Sequence, residues 1–419
     1  MNSSRQTERQ KTLDESKKYF DDAQLHILER ATGFGKTHEA LRLSELDYSK
    51  KWLVVCWEVN HINSWKAELV KHNIDASKYD FVTYASFTKT KGDYNLIFDE
   101  CHHLNDKHCT YIINKLGKPR VICLSATIPD DRLLIIRGLA KWIFDSTRFK
   151  TDLRRSVSDL SQSIKKGILP TPIINVIYTE LNNRDKTEIL EIKKGGKKAK
   201  TVLVGDYSDR FNLMKGRKEY ILQLNATQQQ VYDYHTAQFE FWQRKYFGQQ
   251  EDYIKFKFLR HASDRKTFLA DSKTIYLQQI LNYINKQDNP RAVVFTGSIS
   301  QAKQVGGDKA VHSKLKRSEI NDLIDSFNSL AINKLFAVSM LREGVNLVDT
   351  PYGIITQLDN QSKSLNQMIG RFLRHDEPEV FILVTKNTQD EKYCETALNN
   401  ISDEYINYMT FNEFLKLTK

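Results

Sequence analysis

Short runs of consecutive apolar residues alternate along this chain with stretches whose apolar positions recur at helical spacing. Leu25-His26-Ile27-Leu28, Trp52-Leu53-Val54-Val55-Cys56, Phe81-Val82-Thr83, Asn95-Leu96-Ile97-Phe98 and Val121-Ile122-Cys123-Leu124 read as strands. Strands that are apolar on both faces and separated by helices indicate a parallel sheet covered on both sides. The same alternation returns at Ala292-Val293-Val294-Phe295, Leu335-Phe336-Ala337-Val338, Gly353-Ile354-Ile355 and Val380-Phe381-Ile382-Leu383-Val384. The pattern therefore predicts an α/β chain with two parallel-sheet halves and a different segment between them.

That middle segment begins after a helical stretch near residues 131–166 and the break Gly167-Ile168-Leu169-Pro170-Thr171-Pro172. Ile189, Ile192, Val202 and Val204 flank Lys193-Lys194-Gly195-Gly196-Lys197-Lys198, which reads as a hairpin with a basic tip. Thr227-Gln228-Gln229-Gln230 is a capping box opening a long helix rich in aromatics from Tyr232 to Phe247. A basic stretch follows, with Lys255, Lys257, Arg260, His261, Arg265 and Lys266. Residues 1–20 read as a polar, partly helical lead. The expected organisation is a first lobe over 1–165 and a mixed α/β insertion over 166–290. A second lobe over 291–395 and a C-terminal helix over 396–419 complete it.

Charge and cysteine usage narrow the class. The 419 residues carry 63 Lys+Arg against 52 Asp+Glu, a net charge of +11 that suits a polyanionic partner. Solvated lysines would give the same balance. Five cysteines without paired spacing argue against a disulfide framework and for a reducing cytoplasm. No stretch approaches the ~20 apolar residues of a membrane span. The expectation is a soluble protein of the cytoplasm, with a Lys/Asn/Ile-rich composition that suggests a bacterial or phage source.

Candidate chemistry sits at two strand ends. Thr32-Gly33-Phe34-Gly35-Lys36-Thr37 follows the first apolar run and precedes the helical His38-Glu39-Ala40-Leu41-Arg42-Leu43. Backbone N–H groups around Gly33 and Gly35 can surround phosphate oxygens at a helix N-terminus, Lys36 can reach the β/γ-phosphates of ATP, and the Thr37 hydroxyl can ligate Mg²⁺. The match starts one residue short of the full pattern, because Ala31 holds its first position. Asp99-Glu100-Cys101-His102 directly follows another strand, where a parallel sheet opens its ligand crevice. Nucleotide hydrolysis needs one carboxylate on the Mg²⁺ shell, which suits Asp99, and another to orient the attacking water, which suits Glu100. The alternative for this segment is a metal site from Cys101, His102, His103, His108 and Cys109, but their spacing is not that of a closed zinc site.

With both elements placed, the chain resembles the superfamily 2 helicases and translocases of DExH type, whose remaining motifs occur in order. Leu124-Ser125-Ala126-Thr127 looks like the Ser-Ala-Thr motif that couples nucleotide state to nucleic-acid grip. Trp52–Trp65 and Val82-Thr83-Tyr84-Ala85-Ser86-Phe87 resemble nucleic-acid-contacting motifs. Val293-Val294-Phe295-Thr296-Gly297-Ser298, Arg342-Glu343-Gly344-Val345-Asn346-Leu347 and Gln367-Met368-Ile369-Gly370-Arg371-Phe372-Leu373-Arg374 resemble those of the second lobe. The resemblance implies two RecA-like lobes with ATP and Mg²⁺ between them. It also implies that Arg374 is the main arginine finger, Arg371 its helper and Gln367 a nucleotide- or water-contacting neighbour. Gly344 and Asn346 fall to the nucleotide in the same way, and Gln10 is the counterpart of the family's adenine-reading glutamine. Arg371 and Arg374, three apart on a helical pattern, share a face that could stabilise the charge of a loose phosphoryl-transfer transition state.

Thr83, Ser86, Ser125, Thr127 and Thr296 are the expected nucleic-acid contacts, Thr83, Ser86 and Thr296 as hydroxyl donors to phosphates. Gly167-Ile168-Leu169-Pro170 resembles the inter-lobe connection of restriction- and phage-type DNA helicases. Leu222–Tyr232 is similar to a stretch of Swi/Snf-type translocases. Both hints favour an ATP-dependent motor on DNA, single-stranded or branched. An RNA helicase and a nucleic-acid-binding scaffold without motor activity are the alternatives. The basic tip and the basic stretch suit a salt-sensitive electrostatic track, although lysine tips also serve solubility and aromatic stripes also serve packing.

Overall fold

The computed structural model describes residues 3–194, 201–338, 347, 350–359, 362–373, 375–399 and 401–418. Strands β1 (Ala23–Arg30), β2 (Lys51–Cys56), β3 (Tyr79–Thr83), β4 (Tyr94–Phe98), β5 (Val121–Ser125) and β6 (Thr151–Ser158) form one parallel sheet in the order β3-β2-β4-β5-β1-β6. Successive side chains of a strand point to opposite faces, so continuous apolar runs feed two cores at once. Leu25, Ile27, Leu53, Val55, Leu96, Phe98, Val121 and Cys123 fill one face. Leu28, Trp52, Val54, Cys56, Ile97, Ile122 and Leu124 fill the other.

Strand β6 was not legible in the pattern, which reads as helical near 131–166. The helix there stops at Ile143, and Thr151-Asp152-Leu153-Arg154-Arg155-Ser156-Val157-Ser158 is the sheet's edge strand. Edge strands carry charge on their open side and so lack an apolar run. Here Arg155 pairs with Glu29 at 2.6 Å and the Arg154 guanidinium lies 3.6 Å from the Tyr19 ring centre.

Past the Gly167–Pro172 break the chain enters the other lobe earlier than the pattern suggests. Strand β7 (Ile173–Thr179) joins a second, seven-stranded parallel sheet that the later strands complete. These are β11 (Ala292–Thr296), β12 (Ala310–Val311), β13 (Lys334–Val338), β14 (Tyr352–Ile355), β15 (Glu379–Thr385) and β16 (Ile406–Thr410), in the order β12-β13-β11-β14-β15-β7-β16. The C-terminal segment is thus not helix alone: β16 closes an edge between the helices Gln389–Leu398 and Phe411–Leu417.

Between β7 and β11 lies a smaller unit. Strands β8 (Glu188–Lys194) and β9 (Val202–Asp206) do not make the expected hairpin, because β10 (Tyr220–Ala226) inserts between them, antiparallel to β8 and parallel to β9. Leu190, Leu222 and Leu224 then share one buried face with Val231 of the following helix. Residues 195–198 of the basic tip lie outside the described residues. Thr227 caps the helix Gln228–Gln249, with the full reciprocal box to Gln230. That helix packs against a second one, Asp252–Ser272. Lys273, just past its end, forms a fully buried ion pair with Asp390 and donates to the Thr356 carbonyl at 2.7 Å. Gln357 Nε2 donates to the same carboxylate at 2.8 Å, so the pair is hydrogen-bonded on more than one side, as a buried pair must be. The helix pair is thereby anchored on the second lobe. Among the described residues no helix is long and apolar enough to cross a membrane.

Histidine 26 makes the first lobe acid-sensitive. Its Nε2 lies 3.0 Å and 3.1 Å from the Phe20 and Ala23 carbonyls on a buried strand, and burial, followed by the Arg120 charge, pushes its pKa down to about 4. The unfolded chain takes up a proton there near pH ~6.5. Between the two values the unfolded state binds more protons, so stability falls as the pH drops, by up to about 3 kcal/mol. His26→Gln is expected to flatten the decline of the urea midpoint from pH 6.5 to 4.5; an unchanged slope would refute this origin. His38, also lowered to about 4, leaves the variant some residual slope.

Candidate nucleotide site

The crevice lies at the C-terminal ends of β1, β4 and β5. After β1 the chain turns through Gly33 and Gly35, both in the left-handed region with φ +87° and +108°, and enters the helix Lys36–Ser44. Only glycine adopts such angles without strain, and no Cβ then screens the backbone N–H groups that open towards the crevice. The turn is braced from below. Arg30, the last residue of β1, grips Glu39 on that helix through two hydrogen bonds of 2.9 and 2.8 Å, and Ser16 Oγ donates to the same carboxylate at 2.7 Å. This bidentate, buried pair fixes the angle between strand and helix.

Lys36 extends across the crevice to Glu100, with Nζ 3.6 Å from Oε1 and both side chains about 14% exposed. That separation is an ion pair rather than a direct hydrogen bond, which leaves the ammonium available to an anionic ligand. Glu100 itself takes a left-handed backbone conformation, φ 49° and ψ 56°, uncommon for a non-glycine residue. Its N–H donates to Asp99 Oδ1 at 3.1 Å, so the strained turn sets the two carboxylates side by side.

Asp99 is as enclosed as Glu100, its side chain about 15% exposed. Loss of solvent, and next the Glu100 charge, raise its pKa above the usual carboxylate value. Trp65 Nε1 donates to its Oδ2 at 2.9 Å and His61 Nδ1 stands 4.0 Å away, both from the helix Val59–Lys71. A desolvated carboxylate beside a second one favours a cation over solvent, so Asp99 fits a hard divalent ion such as Mg²⁺; Thr37, the expected second ligand, lies in the first turn of the helix Lys36–Ser44.

Behind Glu100, a relay connects β5 to the crevice. His102 Nδ1 lies 3.4 Å from Glu100 Oε2 and 3.1 Å from Ser125 Oγ, which donates to the Thr127 carbonyl at 2.8 Å. Ser125 is fully buried, so it belongs to this interior network rather than to a nucleic-acid surface. Thr127 is half-buried. Thr83 and Ser86, by contrast, sit at the exposed end of β3, with Thr83 Oγ1 donating to Ser86 Oγ at 3.3 Å. Thr296 departs from its expectation as a surface donor: it is buried, and its hydroxyl donates to the Ala337 carbonyl at 3.4 Å. Gln10 likewise bonds Asp14 on its own helix at 2.8 Å, on an exposed face. The rival Cys/His cluster is not assembled as a metal site among the described residues. Cys101 and Cys109 are buried, and burial raises both thiols, Cys109 to about 12.

The second lobe meets the crevice through the helix Ser362–Phe372. Gly370 packs on the glycine turn so closely that a Cβ there would lie 2.5 Å from Thr32 Cβ and 2.9 Å from its carbonyl. Reciprocally, a Cβ on Gly33 would come within 3.2 Å of the Gly370 carbonyl. Arg371, the next residue, is buried at this junction, beside the turn that carries Lys36. Gly344, Asn346, Arg374 and the side chain of Gln367 lie outside the described residues.

Two contributors were missed in the sequence. Arg9 Nη2 donates to the Gly33 carbonyl at 3.0 Å, and Arg5 pairs with Asp376 of the second lobe at 2.7 Å. The helix Ser3–Lys18 therefore touches the turn and the far lobe from one face, four residues apart. Burial, then the Arg5 charge, lowers the Arg9 pKa. The i, i+4 spacing of Arg5 and Arg9 was the available signal, as was that of His61 and Trp65.

Comparison with known proteins supports the assignment of fold. Residues 272–376 match the helicase conserved C-terminal domain. The Pyrococcus furiosus Hef helicase domain superposes with a TM-score of 0.50 at 14% identity, covering 92% of this chain and 97% of that one. S. cerevisiae Dbp5 bound to RNA and ADP BeF3 superposes with a TM-score of 0.55 at 10% identity, covering 94% of this chain and 87% of that one. No curated protein matches the chain by sequence. Residues 272–376 thus match a helicase C-terminal domain, and the chain as a whole shares the fold of these helicase structures, two RecA-like α/β lobes.

The Trp65 contact is testable on its own. Trp65→Phe deletes the donor to Asp99 and keeps an aromatic ring. Half-saturating Mg²⁺ for nucleotide binding is expected to rise roughly tenfold, as for other partners that orient a metal ligand. An unchanged Mg²⁺ titration in a folded variant would contradict the role given to Asp99.

Proposed function

We propose that this chain is a DExH-type ATP-driven motor that moves along or remodels DNA. The carrying observation is the packing of Gly370 on the glycine turn, because it joins a basic helix of one lobe to the Lys36–Glu100 crevice of the other. In this reading Lys36 binds the β/γ-phosphates of ATP, and Thr37 and Asp99 hold Mg²⁺. Glu100 orients the attacking water, with His102 and Ser125 behind it. Arg371 and Arg374 stabilise the charge spread over the transferred phosphoryl group. Gln367, Gly344 and Asn346 complete the nucleotide wall from the second lobe. Since the arginines and the lysine come from opposite lobes, hydrolysis requires closure, and closure is the movement that a gripped strand feels.

Thr83, Ser86 and Thr127 remain the nucleic-acid contacts of this proposal, with backbone N–H groups beside them. DNA is favoured by the Asp-Glu-Cys-His sequence and by the inter-lobe connection at Gly167–Pro170. The RNA reading rests on the likeness to an RNA-bound structure. A scaffold without motor activity is opposed by the intact Lys36, Asp99 and Glu100 arrangement. Cytoplasmic residence in a bacterial or phage-infected cell fits the composition.

Steady-state ATPase rates with no nucleic acid, single-stranded DNA, duplex DNA, forked DNA and RNA test the reading together. DNA is expected to stimulate the wild-type rate strongly, and Lys36→Ala and Glu100→Gln to lower it by roughly 10²–10⁴-fold. Stimulation by RNA alone would replace the substrate. Rates that are equal under all conditions would remove the motor.

A further inference from the structure

Away from the crevice, the helix pair Gln228–Gln249 and Asp252–Ser272 holds a second cluster of ligating groups. His235 projects from the first helix, His261 and Asp264 from the second, and their donor atoms all lie within 4.8 Å of one another. His261 and Asp264 are three apart, so both face the same way along their helix. The two imidazole rings are 5.9 Å apart and inclined at 43°. The Nδ1 atoms of both are buried without a hydrogen-bond partner. Buried polar atoms are normally satisfied, and two orphaned imidazole nitrogens on histidines grouped with one carboxylate call for an explanation.

We propose that His235, His261 and Asp264 form a site for one divalent transition-metal ion that clamps the two helices together. The donor set, two imidazoles and a carboxylate, suits Zn²⁺ or Co²⁺ rather than Mg²⁺ or Ca²⁺. Tetrahedral ligands at ~2.0–2.2 Å from an ion are about 3.3 Å apart, so side-chain rotations closing at most about 1.5 Å would complete the geometry. Three protein ligands leave the fourth position to water. Arg260 lies 3.7 Å from Asp264 and competes with an ion for its carboxylate, while buried Arg265 is held over the Phe239 ring at 4.6 Å. Tyr234 packs edge-on to both histidines. An ion here would stiffen the helix pair relative to the three-stranded sheet beneath it, independently of the nucleotide site.

The full chain, stripped with chelator and titrated with Co²⁺, tests the proposal. One equivalent is expected to produce the visible absorption of low-coordinate Co²⁺, with Zn²⁺ displacing it and raising the unfolding temperature by a few degrees. His261→Gln and Asp264→Asn are each expected to weaken Co²⁺ binding at least tenfold while the metal-free proteins melt like the metal-free wild type. Asp264 is two-fifths exposed, so its variant serves if His261→Gln does not fold. Absence of the visible band in the wild type, or equal Co²⁺ binding by the wild type and a folded variant, would overturn the proposal.

Discussion

The architecture turns on a backbone-to-backbone approach between lobes: Gly370 against Thr32 and Gly33, where Gly370 has no room for a side chain and one on Gly33, already at positive φ, would press on the Gly370 carbonyl at 3.2 Å. Such closeness demands two glycines from segments more than three hundred residues apart. It also brings the helix bearing Arg371 to the turn bearing Lys36. Arg371 and the glycine turn come from different lobes, so under the proposed function the chemistry belongs to the junction. The N-terminal helix reinforces it by bonding the Gly33 carbonyl through Arg9 and the second lobe through Arg5.

Within the first lobe, local strain and burial are concentrated where chemistry is expected. Glu100 occupies a left-handed conformation, and Asp99 is a desolvated carboxylate whose pKa is raised. Each is costly in isolation, of the order of 1–3 kcal/mol for the backbone alone. The surrounding bonds hold them: Trp65 to Asp99, the Glu100 N–H to Asp99, and Lys36 opposite Glu100. The serine of the Ser-Ala-Thr segment reaches the same network through His102, which gives the end of β5 a direct mechanical route to Glu100. Under the proposed function, that route would carry nucleotide state from Glu100 to the Thr127 loop.

Much of this was legible in the residues. The apolar runs of β1, β2, β4, β5, β11, β13, β14 and β15 declare themselves because each is buried on both faces, and the glycine turn and acidic pair sit at strand ends where a parallel sheet exposes its crevice. What escaped was governed by long-range pairing. Strand β6 hides because its arginines serve the edge, and β7 because nothing local tells a strand which lobe it joins. The β8–β9 hairpin failed because β10, further along the chain, outcompetes the local turn for the space between them. Thr296 and Ser125 were misplaced for a related reason: a hydroxyl in a motif reads the same whether it faces solvent or a carbonyl. Arg9 and Trp65 act through single hydrogen bonds to the site, and their i, i+4 spacing from Arg5 and His61 places them on one helix face without saying what that face meets.

The most direct measurement of the central claim is a crystal structure of the chain with Mg²⁺, ADP and beryllium fluoride. The account expects the γ-phosphate mimic to be held at hydrogen-bond distance by Lys36 from one side and by Arg371 or Arg374 from the other, with Thr37 and Asp99 on the Mg²⁺ shell. A nucleotide bound wholly within the first lobe, with both guanidinium groups remote and the lobes closed, would contradict it.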